Sequence, residues 1–362
     1  MKKFHFFLVA AIAMIGSAAC TKVDPVSQDT LISFQVAKYT AQTKAGETSL
    51  IDEGYTTFQT SAWYYTAEGA TSQSFMTKEA IGWNTTVANQ WAPTARNYYW
   101  PKTGYINFYS IAGTKNDNAT IVEDQVTFDL TSAAVAVNDN IMVADAAYKQ
   151  TENSTEYKLD NPTDGEGVPT LFRHMLSQVY FDVKFDATSE TDTKYNWSAS
   201  ISEAYVTVKD KGTLEVNFTP SSPVAKETKQ GAITWTPSGD AVADKVIKGT
   251  AAVVAAANGN AVTTPAVELI PFKSVMPQTL TGLQIHIVYE LTTTYDGANP
   301  IVETITLDKE LTAVAPTITT WNPNTKYLYH ITIKPEGKIY FDPAVEPWAE
   351  ITNDEIELPK DI

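Results

Sequence analysis

The chain has 362 residues, with 42 Asp and Glu against 26 Lys and Arg, and a formal net charge of −16. So acidic a surface repels nucleic-acid phosphates and anionic lipid headgroups, which excludes nucleic acid as a partner. Abundant threonine, valine, tyrosine and tryptophan favour strands, the small share of charged residues and high aromatic content argue against a disordered chain, and the length suggests about two domains.

At the N-terminus, Lys2 and Lys3 precede an apolar run from Phe4 to Ile15 that only His5 interrupts; Gly16, Ser17, Ala18 and Ala19 close it. That is the charged region, apolar region and small-residue cleavage site of an export signal. Cys20 follows directly and is the only cysteine of the chain. The arrangement resembles a bacterial lipobox, with Ser17 where such motifs usually carry Leu. It predicts a lipoprotein signal peptide over residues 1–19, cleavage before Cys20 and a lipid on the Cys20 thiol. One acyl chain binds a membrane marginally and two or three bind it stably, so the mature chain is expected to be anchored rather than inserted. No later apolar run approaches the ~18 residues of a membrane-spanning helix. With the one thiol blocked, disulfides, a catalytic cysteine and a Cys-type zinc site are excluded.

Residues 20–30 are polar, contain Pro25 and read as a tether. Ile32, Phe34 and Val36 then alternate with Ser33, Gln35 and Ala37, the period of a half-buried strand. The polar stretch from Gln42 to Thr48 predicts an exposed, protease-accessible loop. Further strands are predicted at Phe58–Tyr65, Tyr98–Trp100, Tyr105–Tyr109, Val126–Leu130 and Ile141–Ala144. Asn161 to Gly167, with Pro162, Gly165 and Gly167, reads as a loop or domain junction. Strands follow at Val179–Phe185, Ala204–Val208, Thr213–Phe218, Leu283–Tyr289, Ile301–Leu307 and Tyr327–Ile333. Leu171–Ser177 reads as a short helical turn, and Ala251–Ala257 as strand or loop. Many short strands at regular spacing predict an all-β chain of sandwiches.

In order along the chain, several blocks resemble the fimbrillin family of Gram-negative surface pilins. They are Ile32-Ser33-Phe34 with Thr43-Lys44-Ala45-Gly46, Phe58 with Ala62 to Thr66, Trp91, and Tyr99-Trp100-Pro101 with Ile106 to Tyr109. Val168 to Ser177, Ile270-Pro271, Met276-Pro277-Gln278, Trp321 to Tyr327 and Ile339 to Pro343 with Trp348 continue the series. The resemblance implies two tandem transthyretin-like β-sandwich domains, over residues 31–168 (first strand and processing loop 31–49) and 169–362. It implies export to the outer membrane as a lipoprotein, then a proteolytic cut in the loop after the first strand. The groove left by Ile32, Phe34 and Val36 would accept a C-terminal strand of another subunit, for which Ile351, Ile356 and Leu358 are the candidates here. The family's cut usually follows Arg; no Arg lies between Cys20 and Tyr65, and the candidates are Lys44, then Lys38. The implied partners are other fimbrial subunits, the outer membrane through the lipid, and host or bacterial surface glycans or proteins.

The eight tryptophans, at 63, 83, 91, 100, 197, 235, 321 and 348, read as core residues first and as a sugar-binding platform second. The latter fits the competing reading, a non-polymerising lipoprotein that binds glycans. His174 reads as a structural histidine; Asp164 to Gly167 and Asn138 to Asn140 lack calcium-loop spacing and read as turns. No two carboxylates stand out as an acid and base pair, and there is no nucleophile elbow, phosphate loop, zinc helix or dinucleotide fingerprint. The chain is therefore read as neither an enzyme nor the holder of a metal or other cofactor.

Overall fold

The computed structural model describes residues 31–36, 50, 54–84, 90–151, 167–188, 192, 194–220, 226–248, 252–255 and 265–348. Cys20, Lys38, Lys44, Ile351, Ile356 and Leu358 lie outside these residues, as do the tether and residues 161–166.

The first ten strands are β1 (Phe34–Val36), β2 (Thr57–Tyr65), β3 (Gln73–Asn84), β4 (Gln90–Pro93), β5 (Tyr105–Gly113), β6 (Ala119–Val122), β7 (Gln125–Asp129), β8 (Ile141–Ala144), β9 (Ala146–Gln150) and β10 (Val168–Thr170). Next come β11 (Phe172–His174), β12 (Ser177–Phe185), β13 (Tyr195–Val208), β14 (Lys211–Asn217), β15 (Glu227–Lys229), β16 (Ala232–Ser238), β17 (Val242–Lys248) and β18 (Ala252–Ala255). The series closes with β19 (Val267–Val275), β20 (Gln278–Thr279), β21 (Gln284–Tyr295), β22 (Ile301–Glu310), β23 (Thr320–Trp321), β24 (Thr325–Ile333) and β25 (Ile339–Pro347). One α-helix, α1 (Leu311–Val314), is a single turn among the described residues.

A large sheet runs β10-β1-β4-β3-β2-β5-β8-β11, with β9 pairing β5 and β15. Its centre is apolar on both faces. Along β5, Ile106 and Phe108 enter one core with Ile32, Phe34, Phe58 and Phe172, while Tyr109 and Ile111 enter another. Alternate residues of a strand point to opposite faces, so a continuous apolar run is what a strand between two cores requires. The second core is shared with the four-stranded sheet β16-β14-β7-β6 through Val126, Phe128, Leu214 and Val216.

Two further sheets, β19-β12-β24-β25 and β17-β13-β21-β22, enclose a third core. Val179, Phe181, Val183 and Phe185 of β12 and Tyr327, Tyr329, Ile331 and Ile333 of β24 fill it from one side. Ile285, Ile287, Tyr289 and Leu291 of β21 fill it from the other. On β13 the inward residues change from Trp197, Ala199 and Ile201 to Ala204, Val206 and Val208. The register against β21 shifts between Ile201 and Glu203, a bulge whose extra residue reverses the alternation.

Pairing runs across the 168/169 boundary expected from the sequence. Strand β11 pairs β8, β14 pairs β7 and β15 pairs β9. Leu171–Ser177 is not a helical turn: Phe172 and His174 point inward and Arg173 outward in β11, so strand alternation wins there. Tyr98–Trp100 is not a full strand, since Tyr99 makes a single bridge with Leu31. Ala252–Ala255 is a strand, paired with β13.

Candidate functional site: the seat of the first strand

Strand β1 lies inside the sheet, parallel to β10 and antiparallel to β4, with Phe34 opposite both Val168 and Trp91. Ile32, Phe34 and Val36 are buried, whereas Gln35 is exposed, as the alternation predicts. The Phe34 ring meets Phe58 and Phe108 edge-on at 5.6 and 5.7 Å. Phe58 in turn packs on Trp91 and Phe172, and Trp100 meets Phe108, so one phenylalanine of β1 organises an aromatic cage.

Backbone bonds hold the entry to this strand. The Ile32 N–H donates to the Tyr98 carbonyl and the Val168 N–H to the Ser33 carbonyl, each at 2.9 Å. Tyr98 is itself fixed: its hydroxyl donates to Glu79 at 2.6 Å and accepts from Arg96 Nε at 2.6 Å. Burial, with the Glu79 hydrogen bond behind it, raises the Tyr98 phenol above its usual range. On the β10 side, Pro169 stands opposite Gln35 and has no N–H to give, so that wall offers fewer ladder bonds. Gly167, at φ +151°, allows the close approach of β10 to β1.

Behind the seat, residues of the two halves interlock. Arg173 donates Nε and Nη2 to the two oxygens of Asp145 at 2.8 and 3.0 Å. His174 is buried, pairs through Nδ1 with Asn140 Oδ1 at 2.8 Å and stacks on Trp348 at 4.2 Å, a structural role. Tyr109 and Tyr148 both donate to Asp124, at 2.6 and 3.2 Å, and burial followed by that carboxylate pushes both phenols far up.

The remaining candidates from the sequence separate clearly. Trp91, Trp100, Trp197, Trp321 and Trp348 are buried, and Trp63, Trp83 and Trp235 are half-buried against the cores. In the turn at 138–140, Asp139 accepts the Ala136 N–H at 2.6 Å and pairs with Lys115 at 3.3 Å. His330 pairs with Asp182 at 2.9 Å, and His286 stacks on Tyr205. Among the described residues no cluster of three or more His, Cys, Asp or Glu could hold a metal, and no helix is long and apolar enough to cross a membrane. Strand β10 and Gly167, which complete the seat, carry no sequence signal that ties them to β1.

A family model described as fimbrillin-like matches residues 41–348. Among solved structures, a fimbrial protein from Bacteroides vulgatus is 18% identical at a TM-score of 0.46, the match covering 88% of this chain and 99% of that one. The fimbrial anchor protein Mfa2 from Porphyromonas gingivalis is 10% identical at a TM-score of 0.30, over 88% of this chain and 97% of that one. No curated protein matches. With the family model spanning most of its length, the chain belongs to the fimbrillin-like family, whose role is fimbrial or adhesive at the cell surface.

Proposed function

We propose that the chain is a fimbrial subunit or accessory adhesin, exported as a lipoprotein on Cys20 and assembled by strand exchange. In this reading a cut after Lys44, or alternatively Lys38, releases β1 with the lipid. The C-terminal segment of another subunit, with apolar residues matching Ile351, Ile356 and Leu358, then fills the vacated seat.

The observation that carries the reading is the burial of Ile32, Phe34 and Val36 by a strand of only three residues, near the start of the chain, with sheet partners on both sides. Each fully buried apolar side chain stabilises by about 1.5–3 kcal/mol, so the three together contribute roughly 5–9 kcal/mol. Whole domains are stable by only about 5–15 kcal/mol. Loss of β1 would therefore leave an apolar slot and two unpaired strand edges that water satisfies poorly. An incoming strand answers both needs, its backbone completing the ladders and its alternate side chains filling the pockets.

The test uses residues 21–362 treated with a Lys/Arg-specific protease, followed by mass and oligomer size. A cut after Lys44 or Lys38, loss of the first strand and growth of detergent-resistant ladders support the proposal. A cut chain that stays monomeric, or a chain that resists the cut, overturns polymerisation and favours an anchored accessory subunit or a non-polymerising lipoprotein that binds glycans.

A further inference from the structure

A cleft of about 330 Å³ opens where β16 meets the short ladder of β20 and β23, lined by none of the residues of β1. Ligand pockets run from roughly 300 to 1,000 Å³, so this one suits a small or short ligand. Trp235 of β16 supplies a flat wall. Its Nε1–H donates to the Met175 carbonyl at 2.7 Å, which fixes the plane of the indole while leaving the residue half-exposed.

The opposite side is equally rigid. The buried Gln278 amide donates to the carbonyls of Lys209 and Met276 at 3.0 and 2.9 Å and accepts the Lys209 N–H at 3.0 Å. Thr279, Thr281 and Asn322 stand exposed at the rim and bring hydroxyl and amide groups to it. Among the described residues of the lining, Lys209 is the one ionisable residue and no carboxylate takes part, in a chain with 42 of them.

A wholly apolar ligand would make no use of the threonine and asparagine groups at the rim. A phosphate would call for more than one cation or a bidentate arginine. A sugar ring fits both walls: its C–H face lies on the electron-rich face of an indole, and its hydroxyls meet hydroxyls and amides. We propose that this cleft binds a short saccharide, with one ring stacked on Trp235, and that it prefers a sugar carrying a carboxylate to its neutral counterpart because Lys209 makes the local field positive. The inference does not depend on strand exchange, since the cleft is complete in the uncut chain.

The experiment titrates uncut 21–362 with methyl glycosides of glucose, galactose, mannose and N-acetylglucosamine and of glucuronic and galacturonic acids. Saturation-transfer NMR and tryptophan fluorescence report binding, and a proline-rich peptide serves as competitor. Saturable binding is expected, with a uronic acid bound at least ~3-fold tighter than its neutral partner at low salt. Trp235→Ala should weaken it at least ~10-fold, and Lys209→Gln should erase the acid preference while keeping neutral binding. Because Trp235→Ala also removes packing, Thr281→Trp is the second variant: it fills the cleft from an exposed rim and should abolish binding with an unchanged unfolding midpoint. No saturable signal with any of the six glycosides overturns the proposal. So does binding that survives Thr281→Trp, or capture of the peptide in the cleft with no competition from the sugars. Equal affinity for acid and neutral sugars overturns the stated preference.

Discussion

Gly167 stands so close to the first strand that a Cβ on it would lie 2.8 Å from the Phe34 carbonyl carbon and 2.9 Å from the Gln35 nitrogen. The atoms it would strike are backbone, which cannot swing aside as a side chain can. Gly167→Ala therefore meets both this collision and an unfavourable φ of +151°. Strain of this kind costs roughly 1–3 kcal/mol. Urea denaturation is expected to show a stability lowered by that amount; an unchanged stability would show that β10 does not press on β1.

Within β1 the inward and outward residues should differ sharply. Phe34→Ala empties the aromatic cage and is expected to cost about 3–5 kcal/mol. Gln35→Ala, at an exposed position, should stay within about 0.5 kcal/mol. Chemical denaturation of both variants measures the contrast, and similar losses for the two would contradict the seating described.

The Arg173–Asp145 pair offers a double-variant test. Both side chains are nearly buried and joined by two hydrogen bonds. Asp145→Ala takes both of these hydrogen bonds from a nearly buried guanidinium and is expected to destabilise by about 3–5 kcal/mol. Arg173→Met combined with Asp145→Leu removes both charges and should recover most of that loss. A double variant as unstable as the single one would mean that the pair itself, rather than the buried charge left behind, dominates.

Alkaline stability follows from the buried phenols. Burial pushes Tyr289 up to about 12, and burial aided by a carboxylate raises Tyr109 and Tyr148 further. Below the ordinary tyrosine pKa of ~10, both folded and unfolded chains keep these protons and pH has no effect through them. Above it the unfolded chain releases protons that the folded chain retains, so stability falls as pH rises. Each withheld phenol removes about 1.4 kcal/mol per pH unit until its folded-state value is passed. Unfolding midpoints should be flat up to pH ~10 and drop steeply beyond it, with a set of tyrosines that ionise only as the fold is lost. Smooth titration of every tyrosine near pH ~10 with the fold intact would contradict this.

Strands with clean alternation are legible in the sequence. Val179 to Phe185, Tyr327 to Ile333 and Ile32 to Val36 carry their inward faces in their residue types. Strand β3, with Thr77, Lys78 and Glu79 in its middle, has no such pattern and takes its conformation from pairing with β2 and β4. Leu171, Met175 and Leu176 fall at helical spacing, yet β11 is set by its ladder with β8, a partner that no local pattern reveals. The same limit hides the wall of the first-strand seat. Val168 to Thr170 is identified as the neighbour of Phe34 to Val36 only by a register that spans the whole first half. The cleft at Trp235 is hidden for the same reason, since its walls come from β16, β20 and β23.

Parallel pairing with β10 also sets a timetable. The residues of β1 and β10 that face each other stand about 130 positions apart, so the segment synthesised first waits longest for its neighbour. Contacts this remote form slowly, and until they form both the apolar strand and its slot stand open to other chains. In the proposed exchange, a segment of matching alternation supplied by another molecule would compete for the place of Ile32, Phe34 and Val36 throughout that interval. Order of arrival, as well as affinity, would then decide which strand the sheet keeps.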